Sequence, residues 1–268
     1  MVELRRDPVS SRWVIINDNR NFDYQTRDNI KVSDENLCPF CLGKEDLTPL
    51  TILAFDKKGN RINGKGWNIR VIANNKPLLA IEGSLNRRAE GLYDKMNGVG
   101  AHEIIIETSS HTRSIETFGV SDLMQNIIVA QERINDLKND LRFEYISLFK
   151  NYGQDAGETI SHPHFQLVAL PIIPKTIKDE LVTAQKYYEF KERCLICDIV
   201  EQEKSSGAKI VAETDSFIAF IPFASRYPFE TWVLSKEHTG DFRTINDKKK
   251  IEEMASITMS VFRRLFKV

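Results

Sequence analysis

Residues 161–169 read Ser-His-Pro-His-Phe-Gln-Leu-Val-Ala, and this stretch is the most informative about the fold. The short apolar run after His164 is typical of a β-strand. Side chains alternate across a strand, so His162, His164 and Gln166 are expected on one face. Two imidazoles and an amide in a row are costly to bury unless each has a partner. One interpretation is a functional site; the other is the polar face of an edge strand, which Pro163 would fit.

The segments around this strand alternate between helical and extended patterns. Apolar residues recur at three- and four-residue spacing from Ser121 to Leu141, and this spacing predicts an amphipathic helix with Leu141 on its buried stripe. Further helices are predicted over 176–191 and 247–266, strands over 103–107 and 145–149, and a hairpin tip over 58–66.

The four cysteines fall into two pairs, Cys38-Pro-Phe-Cys41 and Cys194-Leu-Ile-Cys197. In a reducing compartment, two such pairs indicate a metal before a disulfide, although a single pair can also be redox-active. Zinc prefers four ligands, and Cys38, Cys41, His111 and His162 supply a Cys₂His₂ set. Four protein ligands leave no open coordination position, so this zinc is expected to be structural. Without the cysteines, His111 would equally well be a surface histidine that follows a strand.

The same landmarks recur in the same order in the two halves of the chain. Each half has a CxxC pair, then a strand that ends near a histidine (His111 or His238), then an amphipathic helix. We therefore predict an α+β fold made of two tandem copies of one unit, each an antiparallel sheet with flanking helices. The first unit is expected over residues 1–175 and the second over 176–268. The second is expected to be incomplete, because Val268 precedes the last strands of the repeat.

The segment before the His-Pro-His motif has the composition of a phosphate-binding loop. Residues 151–161 read Asn-Tyr-Gly-Gln-Asp-Ala-Gly-Glu-Thr-Ile-Ser, and such a loop can offer backbone N–H groups and hydroxyls to phosphate oxygens. If His162 binds the metal, His164 is free to attack a phosphorus atom as neutral imidazole and form a nucleotidyl-histidine intermediate. Gln166 can donate an amide hydrogen bond to the phosphoryl oxygens as charge builds. His102 has no assigned partner and is interpreted as structural.

Composition and charge favour a globular protein with small ligands. The chain has 268 residues with a net charge of −1, so nothing global indicates nucleic acid or an anionic membrane surface. No segment approaches the ~20 apolar residues of a membrane span, and the N-terminus lacks an apolar signal core. We expect a cytoplasmic protein that binds neither nucleic acid nor membrane. Small phosphorylated ligands need only local groups and stay possible.

With these residues in view, the chain resembles the galactose-1-phosphate uridylyltransferase family of the histidine-triad superfamily. The resemblance covers nearly the whole chain, and His-Pro-His-Phe-Gln is its most specific motif. Residues 6–16 look like the family's N-terminal strand. The other supporting stretches are Cys-Pro-Phe-Cys at 38–41, Arg-Val-Ile-Ala-Asn-Asn-Lys-Pro at 70–77, Gly-Ala-His-Glu-Ile-Ile-Ile-Glu at 100–107 and Phe-Lys-Asn-Tyr-Gly at 149–153. The resemblance implies two histidine-triad-like units.

The resemblance also implies roles for individual residues. His164 matches the nucleophile that takes the nucleoside monophosphate, and Gln166 matches the glutamine that holds the transferred phosphoryl group. The zinc ligands match the four residues grouped above, Cys38, Cys41, His111 and His162. The positions where the family contacts nucleoside or phosphates are Arg20, Asn74, Asn75, Asn151, Thr159 and Ser161. A second zinc site, found in some family branches, is matched by Cys194, Cys197 and His238.

The activity implied by the resemblance is nucleotidyl transfer between a nucleotide sugar and a sugar 1-phosphate in galactose metabolism. UDP-glucose and galactose 1-phosphate are the leading substrates, although Asn75 stands where many uridylyltransferases have aspartate. One alternative is a phosphorylase that acts on ADP-glucose or a dinucleoside polyphosphate. Another is a non-catalytic zinc-stabilised module that binds nucleotides. A homodimer is expected, because an incomplete second sheet would leave an unpaired edge.

Overall fold

The computed structural model describes residues 2–6, 13–17, 35–223 and 229–267. The chain divides into two compact units, and two of the boundaries between them fall within helices. The first unit comprises Met1–Ser114 and Glu132–Thr176, and the second comprises Ile115–Gln131 and Ile177–Val268. The domain limits expected from the sequence, 1–175 and 176–268, stay a prediction.

The first unit is built on two antiparallel sheets. Its described strands, in chain order, are β1 (Val2–Arg6), β2 (Trp13–Asn17), β3 (Thr51–Phe55), β4 (Ile69–Ala73), β5 (Arg88–Glu90), β6 (Tyr93–Asn97), β7 (Ala101–Ile106), β8 (Tyr145–Phe149) and β9 (His164–Leu170). One sheet has the order β2-β1-β6-β5, and the other has the order β3-β4-β7-β9-β8. The larger sheet carries the His-Pro-His motif at the start of β9.

The second unit has one sheet and several helices. The elements are α1 (Val120–Leu137), which crosses the division, α2 (Lys175–Lys191), α3 (Leu195–Ser206), β10 (Ile210–Glu213), β11 (Phe217–Phe220), β12 (Trp232–Ser235) and α4 (Lys248–Leu265). The side chain of Asp247 caps α4 by accepting the N–H of Lys250 at 3.0 Å. Within the described ranges, no helix has both the length and the apolar character needed to cross a lipid bilayer.

The three-stranded sheet that follows the second CxxC pair matches three neighbouring strands of the larger sheet that follows the first pair. The order β10-β11-β12 is antiparallel throughout, as is β3-β4-β7 in the first unit. His238 follows β12 as His111 follows β7. Counterparts of β8 and β9 do not occur among the described residues of the second unit. The predicted α+β fold of antiparallel sheets with flanking helices is therefore confirmed.

The position of β9 rules out an edge strand. It pairs with β7 on one side and β8 on the other, and Pro163 precedes it, where its carbonyl accepts the N–H of Glu107 at 3.0 Å. His164 lies opposite Ile106, and Gln166 lies opposite Ile104. Residues directly opposite in an antiparallel pair share a face. The face that carries both polar residues therefore also carries the buried isoleucines of β7, which pack with Phe40 and Trp67.

Two elements differ from the sequence prediction. The helix predicted over 121–141 ends at Leu137, and Leu141 is 94% exposed, because the Asp140 carboxylate accepts the N–H of Arg142 at 3.0 Å and turns the chain toward β8. Of residues 6–16, which look like one strand in the sequence, the structure describes Arg6 and 13–16. Arg6 instead pairs with Trp13 at the end of the antiparallel ladder between β1 and β2.

A buried ion pair joins the end of α1 to β7. Arg133 donates from Nε and Nη2 to the two carboxylate oxygens of Glu103 at 2.8 and 2.7 Å, and the two side chains are only 7% and 5% exposed. Arg133→Met would leave the carboxylate buried without this partner, so we expect the free energy of unfolding to fall by about 3–5 kcal/mol.

The matched control for this pair is Asp136→Asn. Asp136 also accepts from Arg133, at 2.8 Å, but its side chain is 65% exposed. This change is expected to cost less than about 1 kcal/mol. Urea unfolding measures both variants, and equal losses would show that burial does not determine the strength of the pair with Glu103.

Candidate active site and metal centre

Four candidate metal ligands converge beside the start of β9. Cys38 and Cys41 come from the turns before β3, His111 from the segment after β7, and His162 from just before β9. Their ligand atoms all lie within 4.8 Å of one another. Nδ1 of His162 lies 3.7 and 3.6 Å from the two sulfurs, and Nδ1 of His111 lies 3.5 Å from Sγ of Cys41. A tetrahedral zinc with bonds of ~2.3 Å to sulfur and ~2.0 Å to nitrogen sets about 3.5 Å between these atoms.

The protonation states in this cluster suit a cation. Nε2 of His162 donates to the Thr108 carbonyl at 2.7 Å, so the lone pair of Nδ1 faces the sulfurs. Burial lowers the pKa of His162 to about 4, which keeps its imidazole neutral. Burial, followed by the neighbouring Cys38, raises the pKa of Cys41 to about 12. A bound cation would displace the thiol protons and satisfy the buried sulfurs, so the four residues fit a metal ion.

His164 is held as a neutral imidazole with one defined tautomer. Its Nδ1 lies 2.8 Å from the carbonyl oxygen of His162, and because a carbonyl only accepts, Nδ1 carries the proton. The lone pair is therefore on Nε2. Burial lowers the pKa of His164 to about 4, and the ring of Phe40 meets the imidazole edge to face at 5.3 Å between centroids. A neutral, oriented ring with a free lone pair is what a nitrogen nucleophile requires.

Gln166, the next residue on this face of β9, contacts a residue that the sequence interpretation set aside as structural. Its Oε1 lies 2.9 Å from Nε2 of His102, a buried residue of β7. Nδ2 of Asn74 lies 3.0 Å from the same nitrogen. His102 therefore lies between two predicted site residues. Its place opposite Val168 would have indicated this contact, but the pairing of β7 with β9 is not encoded in any local pattern.

The loop between β8 and β9 turns on two glycines. Gly153 and Gly157 have φ of 85° and 86°, which a side chain disfavours. The N–H of Gly153 donates to Glu158 Oε2 at 2.9 Å and stabilises a short 3₁₀ turn between the glycines. Asn151 is half-buried and packs close to Gly157. A Cβ placed on Gly157 would lie 3.5 Å from Nδ2 of Asn151. The loop thus folds back on itself next to the metal ligands.

The remaining predicted substrate residues are placed as follows. Ser161 is half-buried and lines a cavity of about 340 Å³ together with His111 and Arg113. Thr159 and Asn75 are exposed, and Nδ2 of Asn75 lies 3.5 Å from the Leu47 carbonyl. Arg20 lies outside the described residues. The structure therefore brings Asn74 and Gln166 together through His102 and places Ser161 beside the candidate metal ligand His111.

The second unit has a cluster of its own. Cys194 is the N-cap residue of α3, Cys197 lies in the first turn, and His238 follows β12. Sγ of Cys197 lies 3.2 Å from Nδ1 of His238, and the three ligand atoms lie within 4.8 Å of one another. A hydrogen bond from the backbone N–H of Cys197 lowers the pKa of Cys194. This cluster repeats the first three candidate ligands of the first unit but is more exposed.

Two family models match the chain. Residues 178–266 match the C-terminal domain of galactose-1-phosphate uridyl transferase. Residues 92–173, which include β9 and the loop before it, match the N-terminal domain of DUF4931, a domain of unknown function.

Relatives and solved structures extend this likeness over the whole chain. ADP-glucose phosphorylase of Arabidopsis thaliana is 32% identical over 93% of this chain and 70% of its own length. Galactose-1-phosphate uridylyltransferase of Thermotoga maritima is 25% identical over 99% of this chain and 77% of its own length. A crystal structure of the Arabidopsis thaliana ADP-glucose phosphorylase with bound ADP-glucose superposes with a TM-score of 0.73 at 27% identity, covering 100% of this chain and 78% of that one. The chain belongs to the galactose-1-phosphate uridylyltransferase family, whose members transfer nucleotidyl groups.

Proposed function

We propose that the protein transfers a nucleoside monophosphate from a nucleotide sugar to a phosphate-bearing acceptor, with His164 as the covalent carrier. The state of the His164 ring carries this proposal: Nδ1–H is held by a backbone carbonyl and Nε2 keeps its lone pair. A nucleotide-binding module without catalysis needs no such imidazole. The named activities of the relatives, uridylyl transfer and ADP-glucose phosphorolysis, both suit a nucleophile of this kind.

The proposed reaction proceeds by two successive displacements at one phosphorus atom. Nε2 of His164 attacks the α-phosphorus; an N–P bond forms, the P–O bond to the sugar 1-phosphate breaks, and its electron pair leaves with that phosphate. The imidazole gains positive charge, which the hydrogen bond from Nδ1 to the His162 carbonyl stabilises. Gln166 donates amide hydrogens to the phosphoryl oxygens. An oxygen of the acceptor phosphate then attacks the same phosphorus, and the N–P bond breaks and returns its electron pair to Nε2.

We also propose zinc as the metal of Cys38, Cys41, His111 and His162, because two thiolates and two imidazoles at tetrahedral spacing are the donor set that zinc prefers. Zinc bound by these four residues would have no open position, and the residues would thereby fix the start of β9. Cys194, Cys197 and His238 are proposed as a second zinc site. Contacts to the substrate are proposed for Asn74 and Asn75 at the nucleoside and for Arg20, Asn151, Thr159 and Ser161 at the phosphates. The homodimer and the cytoplasmic location expected from the sequence stay predictions.

Two pairs of substrates compete. ADP-glucose with inorganic phosphate is supported by the Arabidopsis thaliana relative at 32% identity. UDP-glucose with galactose 1-phosphate, placed first from the sequence alone, is supported by the matching C-terminal domain and by the Thermotoga maritima relative at 25% identity. We place ADP-glucose first for two reasons. The phosphorylase relative has the higher sequence identity to this chain over a similar length. In addition, Asn75 departs from the aspartate common in uridylyltransferases.

Intact-protein mass spectrometry tests this ranking. After incubation with ADP-glucose and no acceptor, we expect the protein to gain the mass of one adenylyl group, with the label on the peptide that carries His164. UDP-glucose at the same concentration is expected to label a smaller fraction. Labelling by UDP-glucose alone would reverse the order of the two donors. Zinc-loaded protein that neither donor labels would refute the covalent mechanism.

A further inference from the structure

We propose that His102 is a positioning residue that determines which end of the Gln166 side chain faces the transferred phosphoryl group. The inference rests on the proposed function, because it assigns a partner to the glutamine of that same site. The two side chains meet across neighbouring strands, with His102 Nε2 and Gln166 Oε1 2.9 Å apart.

The tautomer of His102 follows from its backbone contact. The N–H of Leu78 donates to Nδ1 at 3.2 Å, and a backbone N–H can only donate. Nδ1 therefore has the lone pair, and the neutral ring carries its proton on Nε2. That proton is donated to Oε1 of Gln166. The amide oxygen is thus occupied, and the NH₂ group is the end that remains for a ligand.

Asn74 does not change this assignment. Its Nδ2 lies 3.0 Å from His102 Nε2, while its Oδ1 accepts the N–H of Lys76 at 2.9 Å. With the proton on Nε2, the Asn74 amide must turn its oxygen toward Nε2–H, which exchanges the bond from Lys76 N–H for one from His102. The Asn74 amide can rotate and the backbone N–H of Leu78 cannot, so we assign the tautomer from the contact with Leu78.

A side-chain amide exposes different chemistry at its two ends. A rotation of 180° exchanges the oxygen, which accepts, and the nitrogen, which donates. In the wrong orientation, the oxygen of Gln166 would face the phosphoryl oxygens, acceptor against acceptor. It would also place its NH₂ against Nε2–H of His102, donor against donor. His102 is buried in β7, between β4 and β9, so its ring presents this donor from a rigid element.

The test is a double-mutant cycle on the single-turnover rate of adduct formation, measured with ADP-glucose and with UDP-glucose. His102→Leu is expected to slow labelling ~10²-fold, within the range for one preorganised donor, and to change the KM less than about threefold. In a Gln166→Ala background, itself ~10²–10³-fold slower, the same change is expected to cost less than about threefold. His102→Gln is expected to restore part of the rate, because its amide can donate to Gln166.

Equal losses in both backgrounds, or no loss in the wild-type background, would overturn the proposal. Ile105→Val, a buried change on the opposite face of β7, is the matched control and is expected to stay within about threefold of wild type. Nitrogen-15 NMR of the histidine rings gives a readout independent of activity: we expect a protonated Nε2 and an unprotonated Nδ1 in His102. The opposite tautomer would refute the positioning role even if neither nucleotide labels the protein, whereas absence of labelling with the expected tautomer would refute only the proposed function.

Discussion

His164→Asn is expected to abolish both adduct formation and turnover, with a loss of ~10⁴-fold or more, because no other group supplies the attacking electron pair. Asparagine can still occupy the buried position beside Phe40, but its amide nitrogen has no available lone pair. Intact mass after incubation with ADP-glucose or UDP-glucose measures the adduct, and release of sugar 1-phosphate measures turnover.

The same variant should keep its metal and its fold. His164 contributes no atom to the cluster of Cys38, Cys41, His111 and His162, so its zinc content is expected to match wild type. We expect its free energy of unfolding to change by no more than about 1–2 kcal/mol, in the range of ordinary substitutions. Turnover at the wild-type rate by the folded variant would eliminate His164 as the carrier.

Cys38→Ser is expected to release the metal of the first unit and to lower the free energy of unfolding by at least ~3 kcal/mol. Structural zinc contributes ~10–16 kcal/mol to the folding free energy of small zinc-binding peptides. The expected loss is smaller here, because the larger sheet also has a hydrophobic core that does not depend on the metal. Adduct formation should fall as well, because the carbonyl of His162 orients His164 and His162 itself would lose its metal. Elemental analysis and urea unfolding provide the two measurements.

Cys194→Ser is the matched control for the metal of the first unit. It removes the corresponding ligand of the second cluster, which is more exposed and lies in the other unit. We expect it to lower the zinc content of the second site only and to leave labelling of His164 within about threefold of wild type. If Cys38→Ser kept a full complement of metal and wild-type stability, the first cluster would not be a structural metal site.

Local sequence patterns were sufficient to predict elements whose structure depends on neighbouring residues in the chain. β8 forms over Tyr145–Phe149 as predicted, and α4 begins directly after its N-cap residue, Asp247. The grouping of Cys38, Cys41, His111 and His162 could also be predicted, because the ligand chemistry of zinc restricts the choice to cysteine and histidine and the repeat indicates which histidine follows each strand.

Long-range pairing accounts for most of what the sequence did not reveal. His102 lies 64 residues from Gln166, and only the register of β7 with β9 brings them together. The reversal between β1 and β2 is likewise a matter of pairing. α3 was not predicted. It begins directly after Cys194, and its first turn contains Cys197, so the second CxxC motif, interpreted as a metal-binding pair, is also the start of a helix.

The order of groups along β9 has a consequence for how this enzyme can change. The proposed metal ligand His162 precedes the strand, the proposed nucleophile His164 opens it, and the proposed phosphoryl-binding amide of Gln166 comes two residues later. Every second residue of a strand is separated by a fixed rise of about 6.6 Å. An insertion of one residue between His164 and Gln166 would turn one of them to the other face. Loops that surround the strand have no such restriction. New substrates can therefore arise by altering loop length and sequence, while the reaction itself is inherited unchanged with the strand.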